Sequence, residues 1–96
     1  MNETKNKHLI KQLCTPEKHL TVVLNNTDEN GKTVNHYAFD VAYLAVCFDG
    51  VIRPVVLAKG SYLVFDKEDE GFSGFYTDGE MDRMIEKCKH PMIFFR

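Results

Sequence analysis

The chain has no tryptophan, only two serines and three cysteines, and no long apolar run. Residues 41–48 form its most apolar stretch, far shorter than the roughly 20 residues that span a bilayer. The polar N-terminus is not followed by an apolar segment of the kind found in signal peptides. Three cysteines without CxxC spacing are typical of reduced thiols. We therefore expect a cytoplasmic protein without a membrane partner.

Size and composition are those of one globular domain. The chain has 96 residues, of which 44% are hydrophobic and 27% charged. These fractions are close to the globular average, and a chain of this length buries roughly two thirds of its surface on folding. We therefore predict a single domain over residues 1–96, with a core that needs neither a disulfide nor a metal.

Charge is unevenly distributed along a chain whose net charge is only −2. Residues 61–87 carry eight acidic and three basic side chains, whereas residues 1–19 carry four lysines and two acids. A basic stripe of the kind that follows nucleic-acid phosphates is absent, which argues against direct nucleic-acid binding.

In the N-terminal half, apolar residues at helical spacing predict a short helix over residues 4–14, which Pro16 ends. Residues 20–25 and 33–39 are rich in β-branched and aromatic types. They predict a hairpin with a turn at Asn30-Gly31.

A second hairpin is predicted around the Asp-Gly pair at 49–50, with residues 41–48 and 51–58 as its strands. A two-residue turn places Val46 opposite Arg53. Residues 41–48 also fit a buried helix, because short apolar runs do not distinguish the two structures. Pro54 has no N–H, so its strand is expected at a sheet edge or at a bulge.

The C-terminal part predicts a strand at residues 62–65, a helix, and a last strand at 92–95. Thr77 and Glu80 match a capping box, and an apolar stripe follows it, formed by Met81, Met84, Ile85 and Cys88. The fold class is therefore α+β: an antiparallel or mixed sheet of about five strands, a C-terminal amphipathic helix on one face, and the short N-terminal helix.

No catalytic or metal motif has the required spacing. Neither serine lies in a Gly-x-Ser-x-Gly elbow, and core packing accounts for the cysteines near histidines. The set Cys14, His19, Cys88 and His90 does not match zinc spacings. The loop over 66–77 resembles an EF-hand but has Thr77 where the bidentate Glu belongs. We therefore assign no catalytic residue, metal or cofactor.

One segment is typical of a contact surface. Aromatic side chains there lie within a glycine-rich, acidic stretch, and we predict the following partner-binding residues: Glu68, Asp69, Glu70, Phe72, Phe75, Tyr76 and Asp78. The stretch is expected to be a surface loop. Its aromatics either cover the core as a lid or stand exposed as anchors inside an acidic rim.

We accordingly expect a small non-enzymatic protein-binding domain, an inhibitor or adaptor whose partner has a basic surface. Size and charge are those of immunity proteins and of phage or mobile-element counter-defence proteins. The alternatives are a regulatory domain that binds a small molecule or metal between sheet and helix, and a small Cys/His-dependent enzyme. Homodimerisation through an apolar sheet face is also open.

Overall fold

The computed structural model describes residues 9–95, which form one small α+β domain of eight strands and one helix. The strands are β1 (Ile10–Cys14), β2 (Leu20–Thr27), β3 (Thr33–Asp40), β4 (Tyr43–Cys47), β5 (Ile52–Ala58), β6 (Ser61–Val64), β7 (Phe72–Thr77) and β8 (Met92–Phe95). The helix, α1, spans Asp78–Lys87. No helix within the described range has the length and apolar character needed to cross a membrane.

The strands form two sheets of four strands rather than one sheet of about five. Sheet A has the order β1-β4-β5-β6, and sheet B has the order β7-β2-β3-β8. The predicted first hairpin is confirmed as β2 and β3. The predicted last strand is confirmed as β8, which pairs in parallel with β3 at the edge of sheet B.

The expectation of a surface loop at residues 70–78 is wrong for most of that segment. Phe72–Thr77 forms β7, which pairs antiparallel with β2 at the other edge of sheet B. The ladder shifts register where Val23 pairs with Gly74 and Leu24 pairs with Phe72. Ser73 is therefore the extra residue of a β-bulge, a feature that the glycines of this stretch permit.

Residues 41–48 contain a strand, β4, and the Asp-Gly hairpin is confirmed, but the predicted register is wrong by one residue. Val46 pairs with Ile52, and Ala45 pairs with Arg53. Three residues rather than two form the turn, because the amide of Cys47 still donates to the carbonyl of Val51 at 3.0 Å. Gly50 has a φ of 84°, the left-handed conformation that ends such three-residue turns.

Pro54 lies on an interior strand, contrary to the expectation of an edge or bulge. Its strand, β5, pairs with β4 on one side and with β6 on the other. The Pro54 carbonyl accepts the amide of Phe65 at 3.0 Å, so its ring nitrogen faces the same neighbour. Phe65 follows the last residue of β6, so the missing N–H falls where that ladder ends.

The predicted N-terminal helix is wrong over the part that the structure describes. Ile10–Cys14 is a strand that pairs antiparallel with β4. The spacing of Leu9, Ile10 and Leu13 fits either structure over so short a segment. Pairing with the edge of β4 satisfies the backbone groups of both segments. Residues 4–8 of the predicted helix lie outside the described range.

Three layers result: α1, then sheet B, then sheet A. Val23 and Ala38 of sheet B pack against Met81 of the helix, as the sequence predicts. The opposite face of sheet B is covered by sheet A, where Val22 packs with Val56 in one cluster. Side chains alternate along β5, so a further cluster on the outer side of sheet A is formed by Ala45, Cys47 and Val55.

The predicted capping box begins α1. The amide of Thr77 donates to Glu80 Oε1 at 2.8 Å, and the amide of Glu80 donates to Thr77 Oγ1 at 3.4 Å. These hydrogen bonds favour the ionised carboxylate and lower the pKa of Glu80.

The predicted apolar stripe of α1 is only partly buried. Met81 is buried, whereas the side chain of Ile85 is 43% exposed.

His19 joins the start of the helix to sheet B. Its Nδ1 lies 2.6 Å from Asp78 Oδ1, and its Nε2 lies 2.9 Å from Asp40 Oδ1. Both contacts are hydrogen bonds from the protonated ring, Asp78 contributing more than Asp40, and they raise the pKa of His19 above its ordinary value of 6.5.

We predict that His19 makes stability pH-dependent. The pKa is higher in the folded than in the unfolded state, so the stabilisation is complete below pH 6.5 and is lost as pH rises through the folded pKa. Chemical denaturation of wild type and His19→Gln from about pH 6 to about pH 9 should show their difference shrinking. A difference that stays constant would contradict this role.

Two glycines provide a second prediction. Gly71 has a φ of 81°, and a Cβ there would collide with the carbonyl oxygen of Asn25, whereas Gly79 in α1 faces open space. Gly71→Ala should lower the free energy of unfolding by more than about 1 kcal/mol. Gly79→Ala should raise it by about 0.5–1 kcal/mol, because alanine loses less backbone entropy in a helix. Urea unfolding measures both changes, and equal changes in the two variants would contradict the different roles given to the two glycines.

Candidate protein interface

A buried arginine connects the two segments that form the candidate interface. The side chains of Arg53 and Asp66 are only 6% and 4% exposed. Nε of Arg53 donates to Asp66 Oδ1 at 2.9 Å. Its Nη1 and Nη2 donate to the two oxygens of Asp49 at 3.0 Å and 2.9 Å. One guanidinium therefore binds both the turn before β5 and the loop after β6.

Strand register brings these three groups together. Val55 pairs with Val64, so Arg53 lies across from Asp66, two residues further along the ladder. Asp49 lies in the hairpin turn four residues before Arg53. The hydrogen bonds that Arg53 donates to Asp49 are the main cause of an increase in the pKa of Arg53, and they outweigh the opposing effect of burial.

The acidic loop after β6 is closed by its own hydrogen bonds. The amide of Asp66 donates to Asp69 Oδ2 at 2.8 Å, and the amide of Asp69 donates to the Asp66 carbonyl at 2.9 Å. The amide of Phe72 then donates to the Asp69 carbonyl at 3.1 Å. Glu68 and Glu70 are exposed on this loop. The backbone that carries these charges is therefore ordered before any partner binds.

Large apolar side chains are exposed beside this loop, at the tip of the β4–β5 hairpin. Phe48 is 68% exposed and Ile52 is 52% exposed. Next to Ile52 lies a shallow depression of about 190 Å³, whose walls include Phe65, Phe72 and Phe75. We call the whole region the loop–hairpin surface, and define it by Phe48, Asp49, Val51, Ile52, Glu68, Asp69 and Glu70.

The structure divides the predicted partner-binding residues. The acids Glu68, Asp69 and Glu70 belong to the loop–hairpin surface. Phe72 and Phe75 are half-buried and pack against the core between the sheets, while also lining the depression. Of the two predicted arrangements, these two aromatic side chains adopt the one in which they cover the core as a lid, rather than the one in which they stand exposed as anchors.

Tyr76 and Asp78 lie elsewhere. Tyr76 points to the opposite face of sheet B, where it packs with Val23 and Met81. Asp78 begins α1 and binds His19. Tyr76 lies near the end of the extended strand β7 and Asp78 directly follows the strand, so both are at least about 20 Å from Glu70 along the chain.

Sequence reasoning missed the apolar part of the surface. The Asp-Gly turn locates the hairpin tip, but alternation alone does not show that Phe48 and Ile52 are exposed. Arg53 was the available signal. An arginine within an apolar strand requires a carboxylate partner, and the acidic segment after β6 supplies Asp66.

The described residues do not assemble a metal site from any three His, Cys, Asp or Glu side chains. The zinc set Cys14, His19, Cys88 and His90 and the calcium loop over 66–77 are not brought together as ligand clusters. Chemically, the loop–hairpin surface presents exposed apolar area beside negative charge.

Comparison with known proteins supplies no analogy for this surface. No family model, no curated protein and no solved structure matches the chain. Functional inference therefore depends on the residues and their geometry.

Removing the Asp66 carboxylate should destabilise the protein strongly. Asp66→Ala removes the buried one of the two carboxylates that bind the guanidinium of Arg53, and breaking a buried pair costs about 3–5 kcal/mol. Glu70→Ala, an exposed carboxylate in the same loop, should change stability by less than about 0.5 kcal/mol. Urea unfolding measures both. Similar small losses in the two variants would show that the ion pair contributes little.

Proposed function

We propose that this protein is a non-enzymatic protein-binding domain, an inhibitor or adaptor, and that the loop–hairpin surface makes the contact. The observation that carries the proposal is the Arg53 junction, which fixes an acidic loop next to an exposed aromatic hairpin tip. Phe48, at 68% exposure, lies in the same hairpin tip as the exposed Val51 and Ile52, and contiguous exposed apolar area of this kind is typical of protein contacts.

The apolar part of the surface supplies the affinity in this proposal. Phe48 and Ile52 project from a short, hydrogen-bonded hairpin, so little backbone freedom remains to be lost on binding. Aromatic side chains that become fully buried in a partner's pocket are typical binding hot spots. The depression beside Ile52 can in turn receive one side chain of the partner.

The acidic part supplies partner choice. Glu68, Asp69 and Glu70 are exposed on the loop that Arg53 joins to the apolar tip, so the complementary partner carries a basic surface. Such charges accelerate encounter with basic proteins and repel acidic ones. A basic toxin or nuclease in the cytoplasm is the type of target we propose, with the chain acting as an immunity or counter-defence protein.

Truncation of the hairpin tip tests the apolar contact. A basic partner captured with the wild-type protein should bind Phe48→Ala and Ile52→Ala at least roughly 30-fold more weakly, the loss expected for a hot spot. Leu57→Ala and Tyr62→Ala are matched controls, since these side chains are 54% and 58% exposed at the far end of sheet A. Surface plasmon resonance measures the affinities.

Equal affinity of the tip variants and the control variants would reject the loop–hairpin surface as the contact.

A second test measures the contribution of charge to association. The double variant Glu68→Gln/Glu70→Gln should slow association at about 50 mM salt and much less at about 500 mM. Asp82→Asn/Glu86→Gln removes two charges from α1 as its control. An association rate that depends neither on salt concentration nor on the loop acids would contradict electrostatic selection of the partner.

A further inference from the structure

An open cleft lies on the other side of the molecule, between α1 and sheet B. Its volume is about 620 Å³, within the range of small-molecule sites. Polar and charged side chains line it from three strands and from the helix, including Asn25, His36, Tyr76, Arg83 and Lys87. The loop–hairpin surface shares none of these residues.

The floor of the cleft has a defined hydrogen-bonding pattern. His36 Nδ1 lies 2.7 Å from Asn25 Oδ1, across the β2–β3 ladder. An amide oxygen only accepts, so Nδ1 carries the proton.

One wall is rigid and partly apolar. The hydroxyl of Tyr76 donates to the Ser73 carbonyl at 2.9 Å and lies 2.8 Å from Ser73 Oγ. Its ring is thereby fixed against the cleft. Val23 and Met84 add apolar surface beside it. A planar or apolar molecular body would pack on this wall.

The helix wall carries the charge. Arg83 and Lys87 are four residues apart and so lie on the same side of α1. Neither forms an ion pair with any residue in the described range. The carboxylate of Glu80 accepts the amide and hydroxyl of Thr77, and it interacts with Arg83 through space but without a direct ion pair. The helix dipole accounts for a lysine in the last turn but not for Arg83 in the middle.

The sign of this charge is the informative point. Residues 61–87 are strongly acidic as a whole, yet the cleft lining carries two cations and a histidine against one carboxylate, that of Glu80. We propose that the cleft binds a small anionic metabolite. Arg83 and Lys87 hold its phosphate or carboxylate, and Tyr76, Val23 and Met84 contact its body.

The test is an NMR titration of the full chain with inorganic phosphate and, separately, with acetate. Sodium chloride at equal ionic strength is the reference. Amide shifts should appear at Asn25, His36, Tyr76 and Arg83 and saturate at roughly millimolar concentration. The anion that saturates first identifies the preferred head group, and either one supports the proposal.

Three variants sharpen the result. Arg83→Gln and Lys87→Gln should each weaken binding roughly tenfold, whereas Lys89→Gln, an exposed lysine two residues beyond Lys87 that does not line the cleft, should leave it unchanged. All three positions are exposed, so the variants are expected to fold, and their spectra report this directly.

Shifts that never saturate, that chloride reproduces, or that are weakened as much by Lys89→Gln as by Lys87→Gln would overturn the proposal. Such results would leave the loop–hairpin surface unaffected, because its test uses a protein partner and different residues.

Discussion

The ion pairs of Arg53 join the turn before β5 to the loop after β6. A guanidinium that is 6% exposed is stable there only if carboxylates compensate for its lost hydration. Asp49 and Asp66 do so from two directions. The hairpin register, the end of β6 and the start of the acidic loop therefore depend on one another. A one-residue slip of β5 would move Arg53 to the other face of sheet A and separate it from both partners.

Local signals predicted the elements that local interactions form. The β2–β3 hairpin, the β4–β5 turn and the capping box at Thr77 each depend on residues close in sequence, and all three are present. Pairings between distant segments were not predictable in this way. β1 joins β4 although its apolar spacing also fits a helix.

The candidate site follows the same rule. Composition identified the acids at 68–70. The exposure of Phe48 and the burial of Phe75 follow from how the two sheets meet, which periodicity does not encode. β7 shows the limit most clearly, since alternation along one strand sends Phe75 and Tyr76 to opposite faces of sheet B, and so to two different surfaces. One of these surfaces is acidic and apolar, and the other is a cleft with basic groups.

The chain path through the two sheets has a consequence for folding. Sheet B is built from residues 20–40 and 72–95, and the chain between them forms the β4-β5-β6 meander of sheet A. Strands β2 and β7 are therefore roughly 50 residues apart, and their pairing closes a long loop. A meander that has already folded shortens this loop, because its two ends are held near each other. Formation of the meander in sheet A therefore brings the two halves of sheet B closer together. Because β1 returns to sheet A from the other side, neither sheet can separate from the other as an independent unit, and the domain should unfold in a single cooperative step.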